Sequence, residues 1–349
     1  MKIAQVSSLM EAVPPKLYGG TERIVAYLTD ALVDLGHDVT LFASGDSVTK
    51  AKLEPGWPHA LRLDEGMRDY LAPHIILLET LARRAEDFDI IHLHIDYLGY
   101  PVLKRIGVPF LTTLHGRLDL PELRSIYETF SDVPLVSISD SQREPLPNAN
   151  YIGTIHHGLP QNLLKQGDGS GGYLAFIGRI SPEKAPDAAI RIAAAAGTKL
   201  KIAAKIDKVD RAYFEQHIEA AMAQPHVEYI GEIDETQKSE FLGKAAGLIF
   251  PIAWREPFGL AMIEAMACGT PVIAMNRGSV PEVIEDGVSG FIVENEEEAI
   301  AATKKLKTLD RARVRQAFDR RFTGKRMAED YVGLYQRLAA ADRPLLKFA

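Results

Sequence analysis

Cysteine is nearly absent from this chain, with one residue, Cys268, among 349. A single cysteine excludes an internal disulfide and argues against the class of small disulfide-stapled domains. Long hydrophobic runs are missing as well, since no stretch reaches the roughly 18 consecutive apolar residues that a membrane-spanning helix needs. The sequence starts MKIAQVSS, without the apolar segment of a secretory leader. We therefore expect a cytoplasmic protein.

Positive charge is also in short supply. The net charge is −7, and the whole imbalance lies in residues 1–150, which carry 14 Lys and Arg against 21 Asp and Glu. Nucleic-acid binding needs a basic surface, so nucleic acid is not an expected partner. Contact with a membrane surface stays open, although anionic lipid favours clustered Lys and Arg. The oligomeric state cannot be read from the sequence.

Buried-strand patterns alternate with helical patterns along most of the chain. Six strand-like runs fall in the first half, from KIAQVSS to YIGTIHH, and a second alternation starts at YLAFIG. Strands that alternate with helices build parallel sheets, which bind ligands at the carboxyl ends of their strands. The glycine-rich segment 167–172, GDGSGG, is interpreted as a linker. The prediction is an α/β protein with two doubly wound domains, residues 1–166 and 173–326.

The segment REPFGLAMIE carries two carboxylates around a strand-to-helix junction. Pro257 suits the first turn of a helix, so the pattern predicts a helix from Pro257 to about Ala267, with Glu256 at its start and Glu264 two turns inside. Phosphate fits between the two carboxylates, which can accept bonds from sugar hydroxyls. The alternative is a structural acid at a helix N-terminus plus an exposed glutamate. Amides without helical partners bind anions at such a start, and here they belong to Phe258, Gly259 and Leu260.

Several segments join this junction into a longer pattern. The junction is followed by the segment EAMACGTPVIAMNRGSVPEVIEDGVSGFIV. It is preceded along the chain by an early Gly-Gly, a TLHG segment and GRISPEK. Together these segments, spread over nearly the whole chain, resemble the family-4 retaining glycosyltransferases of the GT-B fold. The resemblance implies two Rossmann-like domains facing a cleft, with the nucleotide-sugar donor on the second domain and the acceptor on the first. It also implies that residues 327–349 pack back on the first domain.

The C-terminal region has its own periodic pattern. Apolar residues between Arg311 and Leu338 recur at helical spacing among charged residues, which predicts a long amphipathic surface helix. Gly324 lowers the helix propensity by about 1 kcal/mol relative to Ala, so we expect a kink or a break there.

The segment GRISPEK places two cations at a strand end. Arg179 and Lys184 lie five residues apart, and cations so placed can bind several phosphate oxygens. Two charges on a turn are also compatible with a solvated basic loop. The resemblance implies that Arg179 and Lys184 neutralise the donor diphosphate without a divalent ion. No cofactor or metal is expected beyond the donor itself, for which UDP is the expected nucleotide.

The glycine pattern bears on the type of nucleotide. Gly19 and Gly20 stand before a predicted helix without the G-x-G-x-x-G spacing of nicotinamide enzymes, so an oxidoreductase is a poorly supported alternative. Small residues there would let an anion approach the helix start, unless they form a plain loop. The resemblance implies that Gly19 and Gly20 contact the donor diphosphate. Backbone near Gly231 is expected to recognise the base.

Polar residues also follow strands in the first half. His115 ends the strand FLTTL, and the resemblance implies that it touches the transferred sugar near the reacting carbon. Without the resemblance, a histidine at a strand end is more often structural. His94 and Asp96 follow another strand, and Arg143 follows a third. These three are possible acceptor-side residues.

The expected activity is that of a hexosyltransferase that retains anomeric configuration, with a nucleotide-diphosphate sugar as donor and an unidentified hydroxyl acceptor. The resemblance implies that Glu256 binds sugar hydroxyls and Glu264 the ribose. An epimerase or hydrolase of the same fold, acting on a nucleotide sugar, is the alternative because it would use the same contacts. The catalytic candidates are His115, Arg179, Lys184 and Glu256.

Overall fold

The chain forms two compact units in a computed structural model that describes residues 1–16, 19–62 and 64–341. The first unit comprises Met1–Pro160 and continues from Gly324, and the second comprises Gln161–Thr323. Each unit is built around one parallel sheet. This architecture confirms the predicted α/β class.

The predicted linker, 167–172, lies inside the second unit instead of between the units. Its backbone amides at Gly167, Gly169 and Gly171 donate to carbonyls of the second unit at 2.9–3.0 Å, and the Gly167 carbonyl accepts a bond from Arg311. The glycine-rich composition indicated a flexible segment, but these bonds fix it. The chain crosses between units at Pro160 and Thr323, and residues 342–349 of the predicted C-terminal segment lie outside the described residues.

The first unit contains a seven-stranded sheet in the order β3-β2-β1-β4-β5-β6-β7. Its central strands are buried except for Lys2 at the start of the first one, as expected for a parallel sheet covered on both faces. The register pairs Gln5 on β1 with His92 on β4, which places these two polar residues side by side in the core. The strands are β1 Lys2–Val6, β2 Asp38–Ser44, β3 Lys52–Trp57, β4 Ile90–Leu93, β5 Phe110–Thr113, β6 Leu135–Ser137 and β7 Tyr151–Thr154. The helices are α1 Gly20–Asp34, α2 Leu71–Arg83, α3 Tyr100–Leu103 and α4 Pro121–Thr129.

The second unit contains a six-stranded parallel sheet in the order β10-β9-β8-β11-β12-β13. The register pairs Arg179, the last residue of β8, with Lys205, the last residue of β9. Two cations therefore end adjacent strands at the carboxyl edge of this sheet. The strands are β8 Leu174–Arg179, β9 Leu200–Lys205, β10 Val227–Gly231, β11 Gly247–Phe250, β12 Val272–Met275 and β13 Gly290–Val293. The helices are α5 Pro186–Ala195, α6 Arg211–Tyr213, α7 Glu219–Met222, α8 Glu235–Lys244, α9 Leu260–Ala267, α10 Val280–Val283, α11 Glu296–Lys305 and α12 Arg311–Arg321.

The last helix, α13 Gly324–Ala341, belongs to the first unit and packs against α1. The predicted break occurs at Phe322 and Thr323, and the amide of Gly324 then donates to the carbonyl of Leu159 at 2.6 Å. Two tyrosines of α13, Tyr331 and Tyr335, are buried in the core of the first unit. Although α13 has 18 residues, no helix in the described ranges is long and apolar enough to cross a membrane.

Candidate active site

The loop between β11 and α9 holds Glu256, but its helix starts later than the sequence predicted. Helix α9 begins at Leu260 instead of Pro257, so Glu264 lies about one turn inside the helix. The cause is Gly259, whose φ of +81° is left-handed and interrupts helical geometry. A Cβ on Gly259 would also lie 2.8 Å from the methyl group of Met262. Residues 256–259 are therefore a loop that ends at the N-terminus of α9.

A second loop holds Glu256 in place. Gly278 has a φ of +57°, and a Cβ there would lie 2.4 Å from the carbonyl oxygen of Glu256. The next residue, Ser279, donates its amide to that same carbonyl at 3.0 Å and its hydroxyl to the carbonyl of Phe258 at 2.8 Å. The Phe258 ring is buried against Phe322. Phe258 can therefore offer a ligand only its backbone.

Glu256 and Lys184 meet in an ion pair, although 72 residues separate them. The indole Nε1–H of Trp254 donates to the same carboxylate oxygen, Oε2, at 2.8 Å. Lys184 also lies 5.6 Å from the Trp254 ring, within cation–π range. Glu256 is 8% exposed, so its charge is held in a partly desolvated position by these two donors. Trp254 carries no motif of its own, so its contacts with Glu256 and Lys184 could not be predicted from the sequence.

Arg179 is held at the carboxyl edge of the same sheet by two carboxylates. Its guanidinium lies 3.1 Å from Asp210 and 3.8 Å from Glu183. Burial raises the pKa of Asp210, while the charge of Arg179 opposes that rise. The turn that carries Lys184 is tied to the Glu256 loop by a 2.9 Å bond from the Ala253 amide to the Glu183 carbonyl. Arg179 thus ends β8, and Lys184 lies on the turn that follows it, which is bonded to the Glu256 loop.

Glu264 lies in a buried ion pair that sequence reasoning missed. Its Oε1 accepts from the ammonium of Lys238 on α8 at 2.6 Å, and Lys238 also reaches Glu235 at 3.3 Å. Both Lys238 and Glu264 are buried. Lys238 lies in TQKSEF on a mostly polar helix, where no local signal marks it as a partner for a residue 26 positions away.

The other donor-side candidates occupy two separate places. Gly231 ends β10, with a φ of +78° and open space where a Cβ would be, and its neighbour Ile230 is exposed. Gly20 begins α1 in the first unit, and Gly19 precedes it. A Cβ on Gly19 would lie 3.2 Å from the carboxylate of Glu22, which is buried and whose pKa burial raises. An internal carboxyl group therefore already stands near this helix start.

The first unit brings His94 and His115 together. Nδ1 of His94 lies 2.8 Å from Nε2 of His115, and Nε2 of His94 lies 2.7 Å from Oε1 of Gln5. The Nδ1 atom of His115 is buried and has no hydrogen-bond partner in the described part of the chain. Burial lowers the pKa of His115 to about 3 and holds that of His94 well below its ordinary value. Both rings are therefore neutral at pH 7.

Asp96 and Arg143, the other acceptor-side candidates, differ in how far internal contacts hold their side chains. Asp96 is exposed and adopts a left-handed φ of +48°, which is rare for a residue other than glycine. Arg143 is engaged inside the first unit: its Nε–H donates to Ser137 at 2.7 Å, another N–H donates to Thr154, and its guanidinium stacks 4.8 Å from the Tyr151 ring. Arg143 thus has internal partners that the sequence reasoning did not anticipate.

A metal site would need several ligand side chains close together. Among the residues that the structure describes, no group of three or more His, Cys, Asp or Glu side chains is arranged to hold a metal ion. The electropositive groups near Glu256 are side chains and backbone amides.

Two family profiles match this chain. The one described as "Glycosyltransferase Family 4" covers residues 18–139, and the one described as "Glycosyl transferases group 1" covers residues 166–321. The first falls in the first unit and the second in the second unit. Both profiles describe glycosyltransferases, and together they support the predicted likeness to glycosyltransferase family 4.

Curated relatives match this chain over part of their own length. A D-inositol 3-phosphate glycosyltransferase of Mycobacterium leprae is 29% identical over 265 residues, which cover 62% of this chain and 60% of that protein. One of Mycobacterium tuberculosis is 28% identical over 253 residues, which cover 60% of this chain and 52% of that protein. The chain thus spans little more than half the length of the curated relatives it matches.

Solved structures extend the likeness to nearly the whole chain. Sucrose-phosphate synthase from Thermosynechococcus elongatus has a TM-score of 0.80 at 18% identity, covering 97% of this chain and 99% of that one. HepE of Anabaena, in complex with UDP and glucose, has a TM-score of 0.75 at 16% identity, covering 97% and 100%. A glycosyltransferase involved in avilamycin A biosynthesis has a TM-score of 0.68 at 23% identity, covering 97% and 98%. These likenesses confirm the predicted GT-B fold.

Proposed function

We propose that this protein is a retaining hexosyltransferase that takes a sugar from a nucleoside diphosphate sugar and passes it to a hydroxyl acceptor without a metal ion. The observation that carries the proposal is the group formed by Arg179, Lys184 and Glu256 in the second unit. It combines cations suited to a diphosphate with a carboxylate suited to sugar hydroxyls, beside the N-terminus of α9. UDP is the proposed nucleotide, since HepE of Anabaena has been crystallised with UDP and with UDP-glucose.

The charges in this group suit departure of a nucleoside diphosphate. Negative charge grows on the leaving phosphate as the sugar bond breaks, and fixed cations and amides stabilise that charge in the transition state. Arg179 and Lys184 supply the cations, and Gly259 and Leu260 supply amides at the start of α9. The carboxylates that hold Arg179 keep it in place before the donor arrives.

Glu256 suits the sugar itself. Its Oε2 accepts from Lys184 and Trp254, so Oε1 is the oxygen offered to a sugar hydroxyl. Glu264, which is paired with Lys238, is proposed to accept a hydrogen bond from the ribose. The backbone at Gly231 is proposed to contact the base. In the proposed front-side reaction, the anomeric carbon loses its bond to the phosphate oxygen and gains one to the acceptor oxygen on the same face. The acceptor proton moves to the leaving phosphate.

The first unit is proposed to serve the acceptor. His94, His115 and Asp96 follow β4 and β5 at the carboxyl edge of its sheet, where ligands of doubly wound sheets bind. The curated relatives carry inositol 3-phosphate in their names, which makes a polyol phosphate a first acceptor to assay.

A donor screen tests the proposal. The protein is heated with UDP-, GDP- and ADP-sugars in EDTA, and saturation at 100 times the dissociation constant should add about 2.7 kcal/mol to the free energy of unfolding. The stabilising donor is then incubated with candidate acceptors, and NMR reads the anomeric configuration of the product. Inverted products, or activity that EDTA abolishes and Mg²⁺ restores, would contradict the proposal.

A further inference from the structure

A buried chain of polar side chains runs through the first unit, from helix α13 to His115. Tyr335 on α13 lies 2.7 Å from Nδ1 of His92 and 3.0 Å from Nε2 of Gln5. Oε1 of Gln5 is hydrogen-bonded to Nε2 of His94, and Nδ1 of His94 is hydrogen-bonded to Nε2 of His115. Tyr335, His92 and Gln5 are fully buried, so these bonds are shielded from solvent and each bond constrains the next.

Donor and acceptor can be assigned along the path from Gln5 to His115. Nε2 of Gln5 donates to the Tyr335 hydroxyl, whose oxygen also lies 2.7 Å from Nδ1 of His92. The Oε1 of Gln5 can only accept, so Nε2 of His94 carries a hydrogen and donates to it. A neutral His94 then has a lone pair on Nδ1, and Nε2–H of His115 donates to that lone pair.

This leaves Nδ1 of His115 without a hydrogen. This nitrogen is buried, and the described residues provide no hydrogen-bond partner for it. A buried acceptor without a partner costs free energy unless a ligand supplies a donor. The residue that follows, Gly116, is exposed, and a Cβ placed on it would meet open space.

We propose that Gln5 and His94 are positioning residues that fix the tautomer of His115, so that its Nδ1 accepts a hydrogen bond from a substrate hydroxyl. The inference rests on the proposed function for the identity of the ligand, a polyhydroxylated sugar or acceptor, and deepens it by assigning the direction of one contact. Tyr335 completes the network by orienting the amide of Gln5. Helix α13 thereby acts on His115 through hydrogen bonds, in addition to its packing on α1.

The first test is spectroscopic and needs no substrate. In protein labelled with ¹⁵N-histidine, His115 is assigned by its loss in His115→Gln, and its two ring nitrogens are classified by long-range ¹H–¹⁵N correlation. We expect an unprotonated Nδ1 and a protonated Nε2 in the wild-type protein. In Gln5→Met, where His94 loses its acceptor, we expect a mixture of tautomers. A protonated Nδ1 in the wild type, or an unchanged tautomer in Gln5→Met, would overturn the proposal.

The second test is kinetic and has a matched control. Tyr331→Phe also removes a buried hydroxyl of α13, but that hydroxyl bonds Thr113, at 2.8 Å, and not Gln5. We expect Gln5→Met to lower kcat by roughly tenfold or more, and Tyr331→Phe by less than about twofold. Tyr335→Phe is the milder alternative if Gln5→Met does not fold. Equal kcat values in Gln5→Met and Tyr331→Phe would contradict the proposal and show that the network only stabilises the fold. The expected tautomer in a protein that transfers no sugar would instead refute the proposed function alone.

Discussion

Lys238 and Glu264 form a buried ion pair, with Nζ 2.6 Å from Oε1. Removing one partner of such a pair leaves a buried charge uncompensated, so we expect Lys238→Met to lower the free energy of unfolding by about 3–5 kcal/mol. The matched control is Lys244→Met on the same helix, because Lys244 pairs with Glu240 at the same 2.6 Å on the exposed surface. That change should cost much less, because solvent screens an exposed ion pair.

Denaturant unfolding measures both variants. Adding Glu264→Gln to Lys238→Met removes the stranded charge, so the double variant should recover much of the loss. Similar small losses for Lys238→Met and Lys244→Met would contradict the importance of burial for this pair.

The two cations of the second unit are expected to act mainly on rate. Arg179→Ala and Lys184→Ala should each lower kcat/KM about a hundredfold or more, because they remove charges that stabilise the leaving phosphate. Lys201→Ala is the control for loss of a positive charge, since Lys201 lies near the opposite end of β9 and pairs with Glu228 at 3.0 Å. Steady-state kinetics with the donor from the thermal screen provides the measurement. Wild-type rates in both Arg179→Ala and Lys184→Ala would remove these residues from the site.

The two glutamates should separate sugar recognition from nucleotide recognition. Glu256→Gln keeps the shape but removes the charge, so transfer should fall by roughly tenfold or more while affinity for free UDP stays the same or rises as Lys184 is released. Glu264→Gln should weaken both. Calorimetry with UDP alone, using Glu240→Gln as a surface control, decides the matter. A loss of UDP affinity confined to Glu256→Gln would reverse the two assignments.

Gly278 offers a structural test of how Glu256 is held. Gly278→Ala combines a left-handed backbone with a Cβ 2.4 Å from the Glu256 carbonyl oxygen, whereas Gly287→Ala has a similar φ, +72°, and open space. The backbone cost alone is about 1–2 kcal/mol, so Gly287→Ala should lose that much stability and keep its activity. Gly278→Ala should lose more stability and most of its activity. Indistinguishable variants would show that the 276–279 loop does not position Glu256.

The buried histidines of the first unit predict a pH dependence of stability. Burial holds the pKa of His92 and His94 well below the ordinary value, so the folded state keeps them neutral while the unfolded chain binds protons near pH 6.5. Their stabilising contribution is therefore present above about pH 6.5 and is lost as the pH falls below it.

Urea unfolding between pH 7.5 and 5.5 gives the slope. In His92→Gln the free energy of unfolding should fall less steeply, by up to about 1.4 kcal/mol per pH unit. His59→Gln, at an exposed position, is the control. Identical slopes in wild type and His92→Gln would show that His92 is not held neutral.

Part of this site could be predicted because parallel strands carry their ends to one edge of a sheet. Arg179 ends β8, Lys184 follows β8 and Glu256 follows β11, so the sheet topology places all three at one edge. The start of α9 could not be predicted from Pro257, because it depends on the left-handed backbone of Gly259. The partners Lys238 and Gln5 carry no local signal, since a pairing across 26 or 89 residues is set by tertiary packing.

The bonds that hold the GDGSGG segment bear on how this protein can be engineered. Glycine-rich surface segments are the usual places for a new terminus or an inserted reporter domain. Here the guanidinium of Arg311 joins the carbonyls of Gly167, Gly243 and Ala245 and the hydroxyl of Thr270 at 2.6–3.0 Å. Cutting the chain at 167–172 would pull one of these acceptors away and leave a partly buried cation with fewer partners. A circular permutant opened at this segment would therefore have a destabilised second unit, although its glycine-rich sequence is typical of a tolerant site.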